Sequence, residues 1–221
     1  MSLLFVFDID GTLTESNDLH QRVYLESLTA FGYAEINPDW GGYQHYTDSH
    51  IFYENGRYNQ MQVTSSDLAR FEHQFYQIYL EYRKHSEIHE IPGAGDFLRH
   101  LSAEGVPFCF ATGSLRSAAE DKLAIFSDVD CVPVLATASE GVTREEIVGS
   151  AIEKAKHTYH VSHFERIVSI GDGVWDYRTA RNLHLQFVGV AQGEQRKQLI
   201  SVGAEHIIPH FQGIQVKELA K

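Results

Sequence analysis

The chain has 221 residues, two cysteines and a formal charge of −12. That length suits one hydrophobic core carrying a substantial insertion, and the acidic balance argues against nucleic acid and anionic membrane surfaces as partners. No apolar run approaches the roughly 20 residues a bilayer demands, the first residues lack the charged start of a signal peptide, and Cys109 and Cys131 sit at apolar runs where buried thiols are expected. A cytoplasmic globular protein is the expectation. A phosphorylated substrate stays open, because screening over about 8 Å lets local charge decide binding.

Leu3 to Phe7 is apolar without alternation, as in a strand buried on both faces of a parallel sheet. It ends in Asp8-Ile9-Asp10-Gly11-Thr12. Ligands of open α/β sheets bind at that edge. Asp8 and Asp10 would share a face and repel, and a hard cation such as Mg²⁺, which takes carboxylate and phosphate oxygens, is the simplest remedy. One carboxylate is then free to attack phosphorus and the other to move a proton. A solvated turn is the alternative for the two acids alone; the whole run after a buried strand is more specific.

From residue 15 to about 90 the pattern turns helical. Leu19, Val23, Leu28 and Phe31 predict a helix over 17–31 stopped by Gly32, and residues 37–42 read as a turn. Residues 40–58 mix aromatics and histidines with small polar groups, which suits either a pocket lining or an amphipathic helix. Thr64 and Asp67 form a capping box ahead of the stripe Leu68, Phe71, Phe75, Ile78, Tyr79 and Tyr82, expected to be core. After Ile91-Pro92-Gly93 and a helix ending near Gly105, strands and helices alternate: strand 106–111 ending in Thr112-Gly113-Ser114, helix 115–126, strand 131–135, a helix capped at Thr143-Arg144-Glu145-Glu146, strand 167–170 ending in Gly171-Asp172-Gly173-Val174-Trp175-Asp176, helix 177–183, strand 187–190, a short strand at 206–208 and a terminal helix. This predicts an α/β fold, a Rossmann-like parallel sheet with helices on both faces, and it brings three polar strand ends to one edge. A hydroxyl with amides at a helix start suits phosphate oxygens there.

With these motifs in order, the chain resembles the haloacid dehalogenase superfamily of phosphohydrolases over essentially its whole length. Residues 8–12, 108–113 and 171–176 look like the family's first, second and fourth motifs. The resemblance implies a core of residues 1–14 and 91–221 and a helical C1-type cap of residues 15–90. It implies Asp8 as nucleophile, forming an aspartyl-phosphate, and Asp10 as general acid and base. Mg²⁺ would bind Asp8, the Asp10 backbone carbonyl and Asp172, with Asp176 in support, while Thr112 and Gly113 hold the phosphoryl group. The family's usual lysine-proline third motif is missing. Arg144, in the first turn of its capped helix, is the positional candidate to replace that lysine, against the alternative of an exposed arginine, and Lys122 is a weaker substitute. His45, Asp48 and Arg57 are expected to help select the substrate. The expected activity is a Mg²⁺-dependent phosphatase for a small phosphorylated metabolite. A phosphomutase related to β-phosphoglucomutase and a silent phosphate-binding module are the alternatives, and the oligomeric state is open.

Overall fold

The computed structural model describes residues 2–219; residues 1 and 220–221 of the expected core lie outside them. Among the described residues six parallel strands form one sheet: β1 (Leu3–Phe7), β2 (Phe108–Ala111), β3 (Leu135–Ala136), β4 (Arg166–Gly171), β5 (Gln186–Val190) and β6 (Ile207–Ile208), in the order β3-β2-β1-β4-β5-β6. The chain winds outward from β1 to β3, returns to β4 on the other side of β1, and so makes its switch point at β1, where such sheets hold their ligands. Phe7 pairs with both Phe110 and Ile170, which sets Asp8, Ala111 and Gly171 level at the carboxyl edge.

Successive β1 side chains enter opposite layers, as strand geometry requires. Leu4 and Val6 pack with Ile147, Ala151 and Ala155 of α6 (Arg144–Thr158), whereas Phe5 and Phe7 pack with Phe97, Leu98 and Leu101 of α4 (Ala94–Ala103) and with Phe211. The remaining core helices are α5 (Arg116–Leu123), α7 (Val174–Asn182), α8 (Gly193–Ser201) and the short α9 (Val216–Leu219).

Between β1 and α4 the chain builds α1 (Asn17–Phe31), α2 (Asp48–Tyr58) and α3 (Ser65–Arg83). The capping box of α3 forms as read: Thr64 Oγ1 accepts from the Asp67 amide and Asp67 accepts from the Thr64 amide. Leu68, Phe71, Phe75 and Tyr79 of the expected stripe are buried beside Tyr24 and Phe52, whereas Ile78 and Tyr82 are only partly buried at its edge.

Three local expectations change. The strand expected over 131–135 is Leu135–Ala136, because Pro133 has no N–H for a ladder and pairing with β2 begins at Leu135. Only Trp40–Gly42 and Asp48–Tyr58 of the 40–58 stretch are helical, and α8 was not anticipated.

The Phe97 ring meets Phe5, Phe7 and Phe211 at centroid distances of 6.1, 6.2 and 5.3 Å. Phe97→Ala is expected to cost about 3–5 kcal/mol, a large share of a typical domain's stability. Val132→Ala, at a side chain 74% exposed, should cost under about 0.5 kcal/mol. Urea unfolding compares the two; equal midpoint shifts would contradict this account of the core.

Candidate active site

The loop after β1 turns on Gly11, whose φ of +74° lies in the left-handed region and whose absent side chain makes room for the Asp172 carboxylate; a Cβ there would lie 2.1 Å from Asp172 Oδ2. Asp8, Asp172 and Asp176 thereby converge, each offering a carboxylate oxygen within 4.8 Å of the others. All three are buried. Arg144 reaches into this cluster from the first turn of α6, whose start is fixed by the Thr143–Glu146 capping box. Its guanidinium donates to Asp8 Oδ1 at 3.2 Å and to Asp176 Oδ1 at 2.6 Å. The expected replacement for the third-motif lysine is therefore buried against the nucleophile candidate, not exposed in a helix turn.

Burial pushes the Asp8 carboxyl well above its usual range, with Arg144 opposing and Asp176, Asp172 and Asp10 reinforcing. Burial, then Asp176, raises Asp172 to about 7. Asp176 also rises through burial, against Arg144 and the amide of Gly173, which it caps at 3.0 Å. Arg144 keeps its charge: burial works against it and the two carboxylates more than compensate.

Asp10 stands apart. Its carboxylate is not part of the three-acid cluster and accepts from Ser16 at 2.5 Å, Ser114 at 2.6 Å and Lys122 at 2.6 Å. Burial alone would raise its pKa, but Lys122, through its charge and its hydrogen bond, holds it well below the usual carboxylate range. The Asp10 side chain lies outside the group of carboxylates that could hold a metal ion. Lys122 is likewise no substitute for the third-motif lysine, since its partner is Asp10 rather than Asp8.

The residues suit a divalent cation. Ionised, the three-acid cluster would carry three negative charges against the one positive charge of Arg144. Asp172 Oδ1 is buried without a hydrogen-bond partner, while its other oxygen accepts from Gln195 at 2.6 Å and Asn17 at 3.3 Å. Arg144 Nε and Thr12 Oγ1 are also buried and unpartnered. A hard cation and an anion would satisfy such a set.

A cavity of about 40 Å³ opens between Asp8, Asp10, Thr112, Gly113 and Arg144 below and Asn17, His20, Tyr46, Thr47 and Trp40 above. The helical segment is seated firmly over it. The Asp48 amide donates to Gly113 O and the Leu115 amide to Asp48 Oδ2, both at 2.8 Å, while Tyr46 stacks on Trp175 at 3.9 Å. Of the three expected selectors Asp48 alone lines the cavity, and its carboxylate is taken up by Leu115 and His20. His45 lies in a neighbouring groove 4.0 Å from Glu145, and Arg57 is exposed and paired with Glu54. Sequence reasoning missed His20, Ser16, Ser114 and Gln195. His20 was legible in principle, because it stands on the α1 stripe with Val23, Tyr24, Ser27 and Leu28.

No curated protein matches the sequence. Solved structures do. A hydrolase from Pseudomonas syringae is 22% identical, with 98% of this chain and 99% of that one covered and a TM-score of 0.74. CbbY from Rhodobacter sphaeroides, solved in complex with phosphate, is 18% identical, with 99% of each chain covered and a TM-score of 0.75. An archaeal β-phosphoglucomutase from Pyrococcus is 14% identical, with 98% of this chain and 96% of that one covered and a TM-score of 0.59. At these identities the likeness is one of fold. A model of the haloacid dehalogenase-like hydrolase family, however, matches residues 3–184, and by that match the chain belongs to this family.

Proposed function

We propose that the protein is a Mg²⁺-dependent phosphatase that hydrolyses a small phosphorylated metabolite of the cytoplasm, with Asp8 as nucleophile and an aspartyl-phosphate as intermediate. The observation that carries this reading is the Asp8 carboxylate, buried at the floor of the cavity, paired with Arg144 and clustered with two further acids. The phosphate bound by the Rhodobacter relative supports an anion site on this fold.

Asp8, Asp172 and the Asp10 carbonyl would hold the metal, with Asp176 in support through Arg144. When bound, Mg²⁺ supplies positive charge that polarises the phosphoryl group. Asp8 attacks phosphorus. Arg144, the Thr112 hydroxyl and the Gly113 amide hold the phosphoryl oxygens where charge develops, the effect on which phosphoryl transfer chiefly depends. Asp10 delivers a proton to the leaving oxygen and then takes one from the water that cleaves the aspartyl-phosphate. Without substrate, Lys122 keeps Asp10 ionised; an arriving phosphate repels that charge and raises its affinity for a proton.

The cavity is the size of a few waters, room for a phosphoryl group but not for a leaving group beside it. The helical segment therefore acts as a cap that lifts to admit substrate and reseats through Asp48 and Tyr46.

Phosphate release from a panel of phosphorylated sugars, nucleotides and small acids tests the reading. Wild type should release phosphate selectively with Mg²⁺, and Asp8→Asn should lose on the order of 10⁴-fold or more while keeping its fold. Retained turnover in the variant would overturn the assignment. Isomerisation without release would favour the mutase, and inertness toward every ester the silent module.

A pH dependence follows from Asp172. A carboxyl whose pKa rises on folding, here from 3.8 to about 7, holds its proton more tightly in the folded chain. Its stabilising contribution is whole below the unfolded value and is lost as pH rises through the folded one. The metal-free protein should lose melting temperature across that window. Because Mg²⁺ competes with this proton, it should raise the melting temperature more at about pH 8 than at about pH 5. An equal Mg²⁺ effect at both would contradict the cluster as its site.

A further inference from the structure

Lys122 is fully buried, an uncommon place for an ammonium. It lies on α5 four residues after Ala118, on the same inward face. Removing an ammonium from water costs several kcal/mol unless every N–H is matched. Here the match is complete. Nζ lies 2.6 and 2.9 Å from the two Asp10 oxygens, 3.0 Å from Ser114 Oγ and 3.0 Å from His20 Nδ1, three partners for its three N–H groups.

These partners also fix one another. Ser114 donates to the same Asp10 carboxylate at 2.6 Å. Since His20 Nδ1 accepts from Lys122, the ring proton sits on Nε2, which donates to Asp48 Oδ1 at 3.0 Å. Asp48 in turn accepts from the amide of Leu115, just before α5. The result is a closed circuit from α5 through α1 and α2 back to the start of α5. A cation needed only to anchor α5 could face any acid; this one takes both oxygens of the carboxylate that lines the cavity beside Asp8.

We propose that Lys122 is the positioning residue for Asp10, holding its carboxylate at the angle from which it exchanges a proton with the leaving oxygen, a role that rests on the phosphatase reading above. Lys122 touches neither substrate nor phosphoryl group in this role. Its importance should therefore scale with how much the leaving group needs a proton.

The test compares kcat/KM, which reports the step forming the aspartyl-phosphate, for p-nitrophenyl phosphate and glycerol phosphate in wild type and Lys122→Met. The nitrophenolate leaves without a proton and the alkoxide does not. Lys122→Met should lower kcat/KM on glycerol phosphate about 10²-fold or more and leave p-nitrophenyl phosphate within about 3-fold. Adding Lys122→Met to Asp10→Asn should cost nothing further on glycerol phosphate, the non-additivity of residues acting as a unit. If Lys122→Met does not fold, Lys122→Gln, whose amide can hold only one Asp10 oxygen, carries the comparison with a smaller loss that is still confined to glycerol phosphate. An equal loss on both esters would mark Lys122 as structural and overturn the proposal, as would no loss on either. Wild type inert toward these two and every other ester of the panel would instead sink the phosphatase reading, and this proposal with it.

Discussion

The structure depends on the bridge that Arg144 makes between Asp8 and Asp176. Three buried carboxylates at one sheet edge repel one another and pay for lost hydration, an arrangement that persists only when charge or protons offset it. Arg144 is the cation placed to do so. Its planar fork reaches both acids at once, which an ammonium would do less well. That bridge also explains the capping box of α6, since the helix start must be held in register for the side chain to arrive. Asp172 Oδ1 and Arg144 Nε, buried and unsatisfied, mark where the cluster lacks partners among the described residues.

Four acids at this edge fall into two electrostatic environments. Asp8, Asp172 and Asp176 share one arginine and are all pushed upward. Asp10, only two residues from Asp8, has Lys122 and two hydroxyls to itself and is pushed down. Separating pKa values within one pocket is how a single site supplies a proton carrier and a set of metal or nucleophile oxygens together. The division arises because β1 ends at Phe7 and the loop then turns on Gly11, sending the two side chains to different neighbours.

The sheet and the acidic residues were legible in the sequence because their signals are local: apolar runs that end abruptly in Asp, Thr and Gly. The capping boxes at Thr64 and Thr143 were legible for the same reason. Lys122 was visible only as a charge of the right sign; its buried face could be read from Ala118, but its pairing with Asp10 depends on contacts between residues over a hundred positions apart. Arg57 and His45 were drawn in by a polar, aromatic-rich setting that does not say which side of α2, or of the loop before it, meets the core. Helix α8 buries only Leu199, so it offered no apolar stripe, and Gln195 on it could not be tied to Asp172.

The central claim is that the phosphoryl group passes through Asp8. Acid quenching during turnover, followed by mass spectrometry of the peptide carrying Asp8, measures this directly. The account predicts a transient phosphoryl adduct on Asp8 that forms and decays at rates able to support turnover. Phosphate released with no adduct on Asp8, or with the adduct on another residue, would contradict it.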